Sequence, residues 1–479
     1  MHTDFSLARR EKDKNFDGKF FFGVKTTGIF CRPSCPSPTA KEENVEYFDT
    51  IFEALEKGFR PCLRCRPDVE VDYYRGNVNG TTIVNTALKL IYDGYLNNNS
   101  LAELANQLDI SERHLRKLFV ENLGAPPVKI ARYHKALFAK KLLMRSSQPI
   151  VDIAFASGFG SLRQFNDAIK EIFGKTPTAI RKQSSRQDSS TTLLLKYTKP
   201  FDFQQTLDFM RIRAINGVEV VGDNFYSRTF RTEQAYGYFT VKDNPKESAL
   251  DLSIVNDDIK CFMEIHNRVR RMFDLDTDFT LINKRFVKDK LLSKGMENGH
   301  VPRLPIAFNP FEFVVRAILG QQITVKAAST LAGRIAKKAN FITGEEFPEG
   351  LNYYFPNELE FITMDLNDLG ITKIRQETIR TTTQAILDKT VSLSSNQSFE
   401  TFHKSFIALK GIGDWTVNYV GMRGLGMIDS FPSNDLGIIK AMMKDDKKPT
   451  LKEILKRSEK WRPYRSYAAL CLWNSLKEN

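Results

Sequence analysis

The sequence predicts a multidomain α+β protein in three parts: a small four-cysteine domain, an all-α double helix-turn-helix domain, and an α+β domain with a helical body. Three observations predict it. Four of the six cysteines fall within 35 residues as a C-x3-C pair and a C-x2-C pair. The next hundred or so residues carry one helix-turn-helix pattern twice. From Leu193 onward, strand-type alternation gives way to helical periodicity. A length of 479 residues allows about three domains of roughly 150 residues each.

Composition narrows the class. Hydrophobic content of 42% with 27% charged residues is ordinary for a globular chain. Met1 to Lys19 is charged and has no apolar core, so no signal peptide is expected. No charge-free apolar run is long enough to span a bilayer. Cys261 and Cys471 stand alone, and are expected to be buried rather than paired. A reducing, cytoplasmic setting follows. The net charge of +13 favours a polyanionic partner, most simply nucleic acid.

The first domain, 1–75, is organised by Cys31-Arg32-Pro33-Ser34-Cys35 and, after 26 residues, Cys62-Leu63-Arg64-Cys65. Two tight chelating pairs suit Zn2+, a d10 cation that four thiolates surround tetrahedrally. Pro33, Pro61 and Pro67 stiffen the chain beside the ligands. Phe20 to Lys25 reads as a strand, and Thr50 to Lys57 as a short helix carrying Phe52, Ala54 and Leu55. So small a core leaves much of its stability to the metal. Spacing leaves two roles open. A closed four-cysteine site can be purely structural, while a metal-held thiolate can also attack a soft alkyl group. Asp68 to Gly80 reads as a flexible join.

Residues 81–183 read as helical. Ser100-Leu101-Ala102-Glu103 is a capping pattern before the stripe Leu101, Leu104, Ala105 and Leu108. Ser111 caps a second helix with Leu115, Leu118 and Phe119 inward and Arg113, His114, Arg116 and Lys117 outward. After a long helix, Val128 to Met144, the layout recurs as Val151 to Ala156, a Gly158-Phe159-Gly160 turn, and Ser161 to Phe173. This second copy shows Ser161, Arg163, Gln164 and Asn166 outward. Such outward rows suit phosphate and base contacts in a major groove, or are simply the solvated faces of a bundle. Lys182 to Thr192, polar and serine-rich, reads as a linker.

The last domain, 193–479, divides into a β-rich part, 193–256, and a helical body, 257–479. Strands are expected at Leu193–Tyr197, Val218–Val221, Phe225–Phe230, Ala235–Val241 and Ala249–Ile254. In the body, Leu409-Lys410-Gly411-Ile412-Gly413-Asp414-Trp415 reads as a hairpin. Gly411 and Gly413 permit close backbone approach, so free N–H groups can meet a phosphate. Some twenty residues on stands Asp435, after Ser433-Asn434, where the alternative reading is a helix cap. For Trp415 and Trp473 the alternative reading is core packing.

Three stretches resemble known families. Thr26 to Cys35 with Gly58 to Pro67 closely resembles the N-terminal domain of Ada-type alkylation-response regulators. That resemblance implies that Cys31 accepts a methyl group from a methylphosphotriester in DNA, with Cys35, Cys62 and Cys65 as its zinc partners. Four thiolates on Zn2+ leave the site net negative, and methylating one lowers that charge, so phosphate is approached more readily. Nothing nearby can remove the methyl group, so the transfer is stoichiometric. The pattern Asp152-Ile153-Ala154, Gly158-Phe159, Phe165, Phe173-Gly174 and Pro177 resembles the double helix-turn-helix of the AraC family, which implies promoter DNA and RNA polymerase as partners.

The hairpin and Asp435 resemble the helix-hairpin-helix glycosylase superfamily. Val315 to Gln322, Trp415 to Tyr419 and Trp461 to Ala468 are similar to AlkA-type 3-methyladenine DNA glycosylases. This implies Asp435 as the catalytic carboxylate and Trp415, Tyr419 and Trp473 as pocket aromatics. Gln322 stands where the best-known members place an apolar wedge, and no Pro-Cys-His-Arg motif of a methylguanine transferase is present. The combined expectation is an alkylation-response protein. It would sense methylated DNA, activate transcription and excise N-alkylated purines. The rival is a non-enzymatic zinc-dependent transcription factor whose last domain only binds damaged DNA.

Overall fold

The structure, a computed structural model, describes residues 2–62, 64–65, 67, 82–182, 192–232, 235–443 and 447–476. The expected join at 68–80 and nearly all of the expected linker lie outside the described residues. The chain forms two compact units, Met1–Lys196 with Asp257–Asn267, and Tyr197–Asn256 with Arg268–Asn479.

The first unit opens with α1 (His2–Arg10), β1 (Phe21–Val24), β2 (Ile29–Cys31), β3 (Val45–Phe48), α2 (Ile51–Glu56) and β4 (Arg60–Pro61), the strands lying in the order β3-β1-β2-β4. Aromatic residues make this small core: Phe20, Phe21, Phe22, Phe30, Phe48 and Phe52 are all buried. Gly23 is required by that packing, since a Cβ there would lie 2.6 Å from Phe59 and 2.8 Å from Phe48. Thr50 caps α2 by accepting from the Glu53 N–H, a bond worth about 1 kcal/mol.

Helices follow as α3 (Thr82–Tyr92), α4 (Tyr95–Asn98), α5 (Leu101–Gln107), α6 (Glu112–Leu123), α7 (Pro127–Arg145), α8 (Ile150–Ala156), α9 (Leu162–Phe173) and α10 (Pro177–Arg181), then β5 (Thr192–Lys196). Ser100 and Glu103 form the expected capping box. Ser111 and Ser161 cap α6 and α9 through the N–H groups of His114 and Gln164. Leu115, Phe119 and Leu123 on α6 match Phe165, Ile169 and Phe173 on α9 as buried faces, while Leu118 is only half-buried. The long α7 is buried along most of its length and serves as the shared core of both copies.

The second unit contains α11 (Phe203–Arg211) and four antiparallel strands, β6 (Glu219–Val221), β7 (Phe225–Arg231), β8 (Tyr236–Asn244) and β9 (Ala249–Asn256). After α12 (Phe262–Met272), whose first half falls in the first unit, come α13 (Phe279–Phe286), α14 (Pro310–Leu319), α15 (Val325–Ala339), α16 (Glu358–Thr363), α17 (Lys373–Leu387), α18 (Phe399–Ile407), α19 (Asp414–Tyr419), α20 (Leu436–Ala441), α21 (Leu451–Ser458) and α22 (Arg465–Asn474). Helix α11 interrupts the stretch read as strands alone. Its buried Phe203, Thr206, Leu207 and Met210 have helical spacing. The helical body holds two apolar cores, one on α14, α15, α17 and α18, the other on α13 and α22. Cys261 and Cys471 are buried thiols. Among the described residues no helix is long and apolar enough to cross a membrane.

Candidate metal centre and candidate active site

Parallel pairing brings the two cysteine pairs together. Ile29 lies beside Arg60 and Phe30 beside Pro61, and the Cys62 N–H donates to the Phe30 carbonyl at 3.0 Å. Cys31 thus ends one strand where Cys62 leaves the next. The sulfurs of Cys31, Cys35, Cys62 and Cys65 all lie within 4.8 Å of one another, and all four residues are buried. Without a cation such crowding is unfavourable. Hydrogen bonds from Cys35, Cys62 and Cys65, with burial, hold the Cys31 thiol far above the usual range. Four thiolates are compatible here only around a cation, which is what a tetrahedral Zn2+ supplies.

Asp17 braces the loop between the first pair, a role the sequence did not suggest. It accepts from the Ser34 N–H at 2.9 Å and from the Ser34 hydroxyl, and pairs with Arg32 at 3.4 Å. Cys31, Cys35 and Cys62 line a cavity of about 400 Å³ that also receives Arg9 and Lys12; Cys65 does not line it. Arg9 is nearly inaccessible, tied to Tyr47 at 3.1 Å, to the Ala40 carbonyl at 3.0 Å and to Glu42 at 2.5 Å.

Of the expected DNA-reading residues, Arg113, Arg116, Lys117, Arg163 and Gln164 are exposed on α6 and α9. Two of them have intrahelical partners, Arg116 with Glu112 at 2.6 Å and Lys117 with Glu121 at 3.7 Å.

The second site forms where the two cores of the helical body meet. Asp435 does cap α20, its Oδ1 accepting from Gly437 N–H at 2.8 Å and Ile438 N–H at 3.1 Å. The same carboxylate also receives both indole N–H groups, Trp473 on Oδ1 and Trp415 on Oδ2, each at 2.8 Å. The capping and functional readings are therefore compatible. Trp415 stacks on Tyr419 with centroids 4.8 Å apart, and Trp473 meets Tyr419 edge-on at 6.3 Å. These four residues line one cavity of about 320 Å³, with Phe313 beside them.

Arg213, Arg316 and Arg423 form the part of that lining which sequence reading missed. No local signal exists for them, because they come from distant segments. Burial pushes Arg423 down to about 10. Burial alone would raise the Tyr419 phenol, but Arg423 and Arg213 beside it bring it below its usual value. Arg316 is held by Glu219 and Glu312, both at 3.4 Å, and Glu312 in turn pairs with the buried Arg228 at 2.6 Å. The chain between α19 and the loop to α20 passes through a π-helical segment, Val420–Gly424, a geometry that often marks a functional site. It turns Arg423 inward, to the Pro305 carbonyl at 2.8 Å and the Tyr419 hydroxyl at 3.3 Å.

Beside the cavity lies the hairpin. Gly411 has φ 86°, and a Cβ there would collide with Thr378. Gly413 caps α19 and has nothing within 4 Å of where a Cβ would stand, leaving its backbone open to a phosphate. Gln322 is exposed and left-handed at φ 58°. Its neighbour Gln321 ties that loop to the hairpin, donating to the Gly411 carbonyl and to Thr416 Oγ1, both at 3.1 Å.

Fold and sites define a multidomain protein with a four-thiolate metal centre, a double helix-turn-helix, and a helix-hairpin-helix body around an aromatic, carboxylate-bearing cavity. Family models match in the same order: the metal binding domain of Ada at 6–68, a helix-turn-helix domain at 104–183, and the AlkA N-terminal domain at 192–309. The probable bifunctional transcriptional activator/DNA repair enzyme AlkA of Mycobacterium tuberculosis is 34% identical, over 100% of this chain and 97% of that protein. DNA-3-methyladenine glycosylase 2 of Escherichia coli is 29% identical, over 58% of this chain and 95% of its own. The bifunctional transcriptional activator/DNA repair enzyme AdaA of Bacillus subtilis is 31% identical, over 37% of this chain and 81% of its own. The chain belongs to the family of bifunctional transcriptional activator/DNA repair enzymes of the AlkA type, and its four-cysteine cluster is a zinc centre.

Proposed function

We propose that this protein answers DNA alkylation twice, by stoichiometric methyl transfer from methylphosphotriesters to Cys31 and by hydrolytic excision of N-alkylated purines at Asp435. In the first reaction the Cys31 sulfur attacks the methyl carbon. The S–C bond forms as the O–C bond breaks, and the electron pair stays on the phosphate oxygen. Bound Zn2+ would keep the sulfur ionised at neutral pH. Cys35, Cys62 and Cys65 hold the cation, and Asp17 shapes the loop that presents Cys31. The position of Cys31 in the cavity beside the exposed Lys12 supports this reading, since that cation suits a flanking phosphate.

In the second reaction an alkylated purine leaves the duplex and enters the aromatic cavity. Its positive charge makes it a good leaving group, so the N-glycosidic bond breaks with the electron pair going to the base. Asp435 stabilises the developing positive charge on the sugar and orients water, whose oxygen adds to C1′ and whose proton is lost to solvent. Gln322 fills the vacated space, and Gly411 and Gly413 hold the backbone. The observation that carries this reading is the convergence of both indole N–H groups on the one carboxylate. With the methylated zinc domain on DNA, α6 and α9 read a promoter through Arg113, Arg116, Lys117, Arg163 and Gln164. RNA polymerase is then the partner and the cytoplasm the setting.

The experiment is duplex DNA carrying labelled methyl groups, incubated with the zinc-loaded protein. Label is expected both in free bases and on the protein, the first lost in Asp435→Asn and the second in Cys31→Ala. Label in neither fraction would leave a DNA-binding regulator without enzymatic activity.

A further inference from the structure

The two helices proposed to read DNA end against the zinc domain. Helices α6 and α9 close on left-handed glycines, Gly124 at φ 76° and Gly174 at φ 66°. A zinc-domain side chain covers each. A Cβ on Gly124 would run into Cγ of Glu53, and one on Gly174 into the guanidinium of Arg60. Around these points Thr50 Oγ1 donates to the Leu123 carbonyl at 2.9 Å, and Tyr133 donates to Glu56 at 2.5 Å. Lys129 pairs with Glu56 at 2.7 Å, and β4 lies against α9.

The side chains involved belong to one short piece of chain. Glu53 and Glu56 are on α2, and Arg60 opens β4 two residues before the zinc ligand Cys62. The charges are placed with some discrimination. The Arg60 guanidinium sits at the negative C-terminal end of α9, where a cation is favoured. Glu53 turns its carboxylate back to the Asp49 N–H at 3.0 Å and covers α6 with its methylenes. Two readers on one chain recognise a composite site only if their separation and pitch are constant. Helix α7 joins them at one end, and α2 with β4 bridges their C-terminal ends.

We propose that Glu53 and Arg60 are positioning residues for DNA reading, seating the zinc domain on the end caps of α6 and α9 and so setting the spacing between the two sequence blocks the protein accepts. This rests on the proposal that α6 and α9 enter DNA. The probe is a random-sequence duplex library, selected by the zinc-loaded full chain, followed by affinities for the winning duplex and for versions with one base pair inserted or removed between its blocks.

Wild type should lose affinity on the order of tenfold on either change. Glu53→Ala and Arg60→Ala should select the same two blocks yet lose less than about threefold, and Arg60→Lys should restore the wild-type profile. A general loss of folding would weaken the blocks themselves rather than the spacing alone. Where a variant misfolds, chelating zinc from the wild type disturbs the same bridge, and the spacing preference should flatten likewise. An unchanged spacing profile in the variants or after chelation overturns the inference. A wild type that selects no sequence overturns the DNA-reading proposal on which it rests.

Discussion

The indole N–H of Trp473 donates to Oδ1 of Asp435 at 2.8 Å, and that same oxygen receives the Gly437 and Ile438 amides in the first turn of α20. Trp415 takes the other oxygen. A carboxylate restrained on both sides needs little reorganisation when charge develops in front of it, which is where electrostatic catalysis gains most. Asp435→Asn should therefore lower base release by about 10²- to 10³-fold. Trp473→Phe keeps an aromatic ring but removes one donor, and should cost about tenfold, or ~1.4 kcal/mol. Single-turnover release of 3-methyladenine measures both. Asn caps a helix as well as Asp, so a loss of only a few-fold in Asp435→Asn would mean that Asp435 acts only as a cap.

Asp17 should matter to zinc without touching it. Asp17→Ala removes the acceptor for the Ser34 N–H and hydroxyl and for Arg32. The loop from Cys31 to Cys35 then loses its brace at a cost of about 1–3 kcal/mol. In competition with a chromogenic chelator, zinc affinity should fall by roughly ten- to a hundredfold while the glycosylase rate stays unchanged.

Zinc removal should act on one half of the protein. A domain whose core is a few phenylalanines and four thiolates loses the metal term, about 10–16 kcal/mol in small zinc modules, and unfolds. Protease cleavage within residues 1–67 and loss of methyl acceptance are expected on chelation, with excision activity retained by the second unit. Excision that disappears together with zinc would show that the two activities are coupled.

Gln322 combines exposure with a left-handed backbone, φ 58°. Gln322→Gly relieves a conformation that costs an L-residue about 1 kcal/mol, so the melting temperature should hold or rise. Base release from fully paired duplex should fall, because no side chain remains to fill the gap. A lesion opposite a mismatch, which is cheaper to extrude, should be affected less.

Asp274 gives a pH signature. It is fully buried, accepting from Thr277, from Tyr467 at 3.0 Å and from the Leu304 N–H at 3.0 Å. Burial pushes its carboxyl up to about 6, against Arg303, which draws it down. A raised folded-state value means that the folded protein holds the proton more tightly than the unfolded chain does. The resulting stability, roughly 3 kcal/mol, is complete below the unfolded value near 4 and is lost as pH rises through about 6. Unfolding free energies of wild type and Asp274→Asn should thus diverge between pH 4 and 6, with wild type falling relative to the variant as pH rises.

Much of this was legible in the chain because the signals are local. Cysteine spacing brings ligands together over a few residues. Ser111 and Ser161 cap α6 and α9, as read, because an N-cap bond spans only three residues. The five strands of the third part stand close to where β-type alternation placed them; β5, β8 and β9 bury alternate residues, the period that one-sided burial imposes, while β7 is buried at five successive positions. Only α11 was overlooked there, its helical stripe being short and flanked by strands.

What the sequence determined by itself, then, is the order of the three parts, the zinc ligands and the residue types at each site. Tertiary structure alone decided that Asp435 is both cap and receiver of two indoles, that three arginines from distant segments share its cavity, and that Glu53 and Arg60 cover the ends of α6 and α9. The physical reason is range. Capping, chelation and strand alternation are satisfied between near neighbours and leave a pattern in the chain. A buried guanidinium or an indole N–H needs only some partner at about 3 Å, and nothing in its own neighbourhood records which distant residue the packing will supply.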